Sequence, residues 1–207
     1  MSDDPVVYVI DDDPAIRVSL ESLLASVGYA VRTFASAEDF LAAEQADAPA
    51  CLVLDVRLKG RSGLEFQREL ARRGQSPPIV FVTGHGDVPM SVAAMKAGAV
   101  EFLTKPFRDQ DLLDAVHEGI ERHRREREQA SAMGQILGLY ETLSPRERQV
   151  AALVASGLMN KQVADRLGLS EVTVKVHRAQ IMHKLQARTL ADLIRITDRL
   201  GITLVQD

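Results

Sequence analysis

Five short apolar runs, spaced so that helix-like segments fall between them, constrain this chain more than any other feature. They are Val6–Ile10, Ala30–Phe34, Cys51–Leu54, Ile79–Thr83 and Val100–Leu103. Three of them are apolar at nearly every position rather than at every second one, as strands buried on both faces of a parallel sheet are. The alternation of strand and helix predicts a five-stranded parallel sheet wrapped on both sides. The expected strand order is that of the flavodoxin-like doubly wound fold.

The intervening segments carry helix punctuation. Pro14 follows an Asp and suits a first helical turn, and Ile16, Leu20, Leu23, Leu24 and Val27 recur at helical spacing before Gly28. Ser36 caps a short helix. Gly60 and Gly63 flank a turn, and Leu64, Phe66 and Leu70 mark the next helix. Val92, Ala93 and Met95 lie in a helix closed by Gly98. Leu112, Leu113, Val116 and Ile120 give a fifth.

Polar residues then gather at one place. Asp11, Asp12, Asp55, Thr83 and Lys105 all fall at or just after strand ends. In a parallel sheet these ends share one edge, which is where such sheets hold their ligands. Three carboxylates packed together repel unless a cation cancels the charge. A hard, oxygen-seeking ion such as Mg²⁺ does so with one or two carboxylates. Lys105 offers a point charge for a phosphoryl oxygen and Thr83 a hydroxyl. A carboxylate can itself accept a phosphoryl group. Taken singly, each residue has an ordinary explanation as a capped turn, a helix cap or a loop pair. Their joint occurrence at the correct strand ends favours a phosphoryl-acceptor site centred on Asp55.

Charge divides the chain. Residues 1–118 carry 11 basic and 19 acidic side chains, whereas residues 141–207 carry 10 and 7. An acidic front and a basic back suggest different partners, nucleic acid among them for the back. Cys51 is the single cysteine and reads as a small buried side chain. The chain shows neither a signal-peptide pattern nor an apolar run long enough to span a membrane. A cytoplasmic protein without a membrane partner is the expectation.

Between the two ends, Glu121–Glu128 is a mixed-charge run of good helix formers, read as a spacer or a prolongation of the fifth helix. Leu137, Leu139 and Tyr140 are candidates to pack on the next domain. The last third reads as helical. Ser144-Pro145-Arg146-Glu147 is a capping box with Pro at the first position. Asn160–Leu167 stops at Gly168, and Ser170 caps a longer helix from Glu171 to Leu185. Two helices across a short Gly-containing turn fit a helix-turn-helix. On the second, Val174, Ile181 and Leu185 share a face for burial. Val172, Val176 and Ala179 lie roughly opposite, beside Lys175 and Arg178, which suits a DNA major groove. A plain helical bundle, or one that binds a protein, shares this pattern.

Residues 6 to about 120 resemble the receiver domain of bacterial two-component response regulators. Thr83-Gly84-His85-Gly86-Asp87-Val88-Pro89-Met90 and Met95-Lys96-Ala97-Gly98-Ala99 resemble the FixJ subfamily. The resemblance implies that Asp55 is the phosphorylated aspartate and that Asp11, Asp12 and the Arg57 backbone carbonyl join it in holding Mg²⁺ or Mn²⁺. It further implies that Thr83 and Lys105 sense the phosphate, that Phe102 is the switch aromatic and that the Lys105–Pro106 bond is cis. One departure is Leu58-Lys59, where the family usually has Met-Pro. Residues 141 to about 203 resemble the LuxR-type DNA-binding domain in Leu143–Arg148, Asn160–Ala164 and Thr173–His177. Lys161, Thr173, Lys175, Val176 and Arg178 are its implied DNA contacts.

The expectation is therefore a receiver over 1–120, a helical linker over 121–140 and a helix-turn-helix domain over 141–207. Such a chain is a transcriptional response regulator whose phosphotransfer is directed only at its own Asp55. Its partners are a sensor histidine kinase, promoter DNA, RNA polymerase and, on phosphorylation, a second copy. One rival reading sets it among the haloacid-dehalogenase-like phosphatases, on Asp11-x-Asp13. That reading needs Asp11 as nucleophile and leaves the basic end unexplained.

Overall fold

Strands β1 (Val6–Ile10) and β3 (Ala50–Leu54) are buried at every position, and so is β6 (Ile79–Thr83). The computed structural model describes residues 4–74, 76–84 and 86–202; His85 of the glycine-flanked motif lies outside them. With β2 (Ala30–Phe34) and β7 (Glu101–Thr104), these strands form one parallel sheet in the order β2-β1-β3-β6-β7. The two outer strands are only partly buried. This is the flavodoxin-like order.

Period-two side-chain alternation sends each strand's residues to two separate cores. Tyr8, Ile10, Leu52, Leu54 and Phe81 face one, against α2 (Ala37–Ala42), α3 (Gly63–Arg73) and α4 (Val88–Lys96). Val7, Val9, Val53, Val80 and Val82 face the other, against Leu20 and Leu24 of α1 (Pro14–Ser26) and Leu112, Val116 and Ile120 of α5 (Asp109–Glu141). On the second side, a β-carbon on Gly119 would lie 2.7 Å from Cys51 Sγ, so helix and strand approach at a glycine. Burial pushes the Cys51 thiol up to about 12, which leaves it an inert core group.

Not foreseen was a small hairpin of β4 (Arg57–Leu58) and β5 (Arg61–Ser62) directly after the Asp55 strand. Gly60 makes its turn at φ 89°, a backbone state that glycine adopts without penalty. Ser62 then forms a capping box with Glu65 at the start of α3.

The helix α5 runs for 33 residues, through the whole of the charged run. Ion pairs Arg122–Glu126 and Glu121–Arg124 support it. The chain divides into two compact units, Met1–Arg127 and Glu128–Asp207. The residues just before the division are tied to the sheet. His123 Nδ1 accepts the Ala50 N–H at 2.8 Å, and Arg127 pairs with Asp47. Burial lowers the His123 pKa, which favours the neutral ring that this bond requires.

The second unit holds α6 (Pro145–Ala155), α7 (Asn160–Leu167), α8 (Glu171–Lys184) and α9 (Leu190–Arg199). Val150, Val154, Val163, Val174, Ile181, Leu185 and Leu193 make its core, with Leu139 and Tyr140 packed against it. Leu137 is exposed. The Ser144 capping box places Glu147 inside, where its carboxylate takes the Ser144 N–H and the Lys184 ammonium, both at 2.7 Å. Gly168, at φ 63°, makes the turn from α7 into α8. No helix among the described residues is long and apolar enough to cross a membrane.

Candidate functional site

The carboxyl edge of the sheet collects the expected acidic residues. One oxygen each from Asp11, Asp12 and Asp55 lies within 4.8 Å of the others. Asp11 directly follows β1 and is 2% exposed. One of its oxygens accepts the Asp13 N–H at 2.9 Å and the other the Lys105 ammonium at 2.8 Å. Asp13 in turn caps α1, so the same turn that starts the helix aims Asp11 and Asp12. Asp12 is half-buried and meets Lys59 at 3.5 Å.

Asp55 follows β3. Its own N–H is anchored to the Ile10 carbonyl at 2.9 Å, and its Oδ1 accepts the Arg57 N–H at 3.2 Å. Burial raises the Asp55 carboxyl above the ordinary range, and the nearby Asp11 adds to this. The Arg57 N–H, the Lys105 charge and a hydrogen bond from Thr83 pull it back. Thr83 ends β6 and is 1% exposed. Lys105 is held by its N–H to the Thr83 carbonyl at 2.8 Å, and the bond to Pro106 is cis. Three carboxylates, one hydroxyl and one ammonium thus converge from four strands. Their oxygen-only, like-charged donor set suits a hard divalent cation.

Phe102, on β7, is half-buried and leans on Phe81 with ring centroids 5.9 Å apart. A β-carbon on Gly86 would come 2.7 Å from the Phe102 ring and 2.8 Å from Thr104 Cγ2. Gly63 is the residue that the sequence did not flag for the site. A β-carbon there would stand 2.3 Å from the Asp55 carbonyl oxygen. Its place between a helix-capping serine and the helix is the only sequence signal for it.

In the second unit, Val172 and Val176 on α8 are exposed, as are Lys175 and Ala179. Arg178 donates to Asn160 Oδ1 at 2.7 Å, and with Lys161 it lines one shallow concavity. Thr173 shares a 2.8 Å hydrogen bond with Ser170 at the helix cap. Lys161 and Arg178 therefore meet at one concavity and Lys175 and Val176 are exposed along α8, while the Thr173 hydroxyl is engaged locally.

The phosphatase reading fares poorly on this geometry. It needs Asp11 to attack, yet Asp11 is buried with both carboxylate oxygens occupied, whereas Asp55 is partly open.

Comparison with known proteins agrees. Residues 7–117 match the response regulator receiver domain, and residues 141–197 match the bacterial regulatory proteins of the luxR family. The chain is 56% identical over 198 residues to nodulation protein W of Bradyrhizobium diazoefficiens, covering 96% of this chain and 87% of that one. It is 43% identical over 201 residues to the transcriptional regulatory protein FixJ of Azorhizobium caulinodans, covering 97% and 95%. Among solved structures, the response regulator StyR is similar with a TM-score of 0.86 at 47% identity, over 95% of this chain and 99% of that one. The chain belongs to the two-component transcriptional response regulators of the FixJ subfamily, a receiver domain followed by a LuxR-type DNA-binding domain.

Proposed function

We propose that Asp55 is the phosphoryl acceptor of this regulator and that a sensor histidine kinase is the donor. The observation that carries this is the convergence of Asp11, Asp12 and Asp55 within 4.8 Å, beside Lys105 and Thr83. Asp11, Asp12, Asp55 and the Arg57 backbone carbonyl would hold Mg²⁺ or Mn²⁺. When bound, that ion supplies the positive charge that three carboxylates and a transferring phosphoryl group lack.

The chain's own groups do the rest. An Asp55 carboxylate oxygen attacks the phosphorus as the bond to the donor histidine nitrogen breaks. Lys105 exchanges Asp11 for a phosphoryl oxygen, and Thr83 turns its hydroxyl to another. Movement of Thr83 leaves room for the Phe102 ring. The face formed by α4 and β7, near Met95, Lys96 and Val100, is remodelled, a local charge event biasing a two-state element. That face then pairs with a second copy.

Two copies set two α8 helices on half-sites about one helical turn apart, so the second contact becomes intramolecular. Lys175, Val176, Thr173 and Arg178 face the major groove, and Lys161 holds phosphate. RNA polymerase is a further partner class at the promoter, and the cytoplasm is the compartment of such a chain. Sedimentation and DNA titration on the same samples, with and without a phosphoryl mimic, test the scheme. Dimerisation together with tighter DNA binding is expected. A phosphorylated protein that stays monomeric with unchanged DNA affinity would overturn the coupling. On random duplex DNA, Lys161→Ala should lower affinity and flatten the salt dependence, because Lys161 holds phosphate.

A further inference from the structure

The acidic cluster carries a cation whose role the phosphotransfer scheme does not use. Lys59 Nζ lies 3.5 Å from Asp12 Oδ2, on a side chain that is 83% exposed. Lys105 already occupies Asp11. Asp11 and Asp12 therefore each have an ammonium, and Asp55 has no ion pair among the described residues. The hairpin fixes where Lys59 sits. Leu58 is buried in the core beside it, and Gly60 turns the chain at φ 89°. Arg57 is tied by its N–H to Asp55 itself. Lys59 is thus carried on a tethered two-residue turn at the open side of the cluster.

An ammonium bonded to Asp12 and a divalent cation compete for the same carboxylate, and they repel each other. We propose that Lys59 is a built-in counter-ion. It balances Asp12 when no metal is bound and raises the concentration of divalent cation that the chain requires before Asp55 can react. The inference rests on the metal reading given above. Lys59 is solvent-exposed, so the effect is modest and screened by salt. It amounts to about a threefold change in affinity.

The test uses the full-length chain and two variants. Lys59→Met keeps most of the apolar stem and removes the charge, and Lys59→Arg keeps the charge. Mg²⁺ is titrated by calorimetry at low and high KCl, and thermal unfolding is followed in EDTA and in saturating Mg²⁺. Lys59→Met should bind Mg²⁺ about threefold more tightly at low salt, with the gap shrinking at high salt. Lys59→Arg should match the parent. In EDTA, Lys59→Met should unfold about 1–3 °C earlier, and saturating Mg²⁺ should close or reverse that gap. Equal Mg²⁺ affinity in parent and Lys59→Met, or a melting difference indifferent to Mg²⁺, would overturn the inference and leave the acceptor site standing. Absence of Mg²⁺ binding in all three proteins would overturn the metal reading and this inference with it.

Discussion

Gly63→Ala should damage the receiver far more than its size suggests. The added methyl carbon would stand 2.3 Å from the Asp55 carbonyl oxygen and 3.1 Å from Val56 Cα. Both contacts are backbone, so no side chain can swing aside. The Gly63 N–H is bonded to the Val56 carbonyl at 2.8 Å, and α3 begins at the same residue, which limits retreat in the other direction. Relief requires shifting the start of α3 or the Asp55–Val56 backbone by about 1 Å. Overpacking of this kind costs about 1–3 kcal/mol. For a unit of this size that lowers the unfolding midpoint by roughly 3–10 °C. The backbone that shifts also carries the acceptor, so Asp55 labelling by an acyl-phosphate donor should slow as well. Urea and thermal unfolding followed by circular dichroism, with labelling rates on the same samples, provide the assay. A variant within about 0.5 kcal/mol of the parent, with an unchanged labelling rate, would refute the claim that the backbone is locked there.

Two further outcomes are expected from the geometry. Lys184 and the Ser144 cap hold the Glu147 carboxyl below its ordinary value near 4.5, so its contribution is complete above that pH and is lost as pH falls through the lower folded value. Thermal unfolding of the second unit should therefore weaken below about pH 4.5, and Glu147→Gln should be less stable at neutral pH with a flatter acid limb; parallel acid limbs would contradict this. Gly86→Ala would push a methyl into the Phe102 ring and Thr104. Fluorine NMR of labelled Phe102 should show a shifted ring population without phosphorylation, and a spectrum identical to the parent would contradict it.

Much of this architecture is legible in the residues because burial is two-sided. Val6–Ile10 and Ile79–Thr83 are apolar or nearly so at every position, and both are buried throughout. A carboxylate directly after such a strand can only emerge at the sheet's edge, which made Asp11 and Asp55 readable together. The β4–β5 hairpin was not readable, since two-residue strands carry no periodicity. Neither was the close approach at Gly63, because it depends on how α3 packs under Asp55. The length of α5 was hidden by Ser131 and Gly134, which a helix otherwise supported by charge pairs tolerates. In the second unit the buried face of α8 is set by its apolar spacing. The Arg178–Asn160 bond joins side chains 18 residues apart, and no local pattern announces it.

The central claim is that Asp55 is the acceptor, and site mapping tests it most directly. The full-length chain is incubated with an acyl-phosphate donor and Mg²⁺, then reduced with borohydride, which converts an aspartyl phosphate to homoserine. Peptide mass mapping should find the conversion at Asp55 alone, lost in EDTA and lost in Asp55→Asn. Conversion at Asp11, or persistence of the label in Asp55→Asn, would contradict the account.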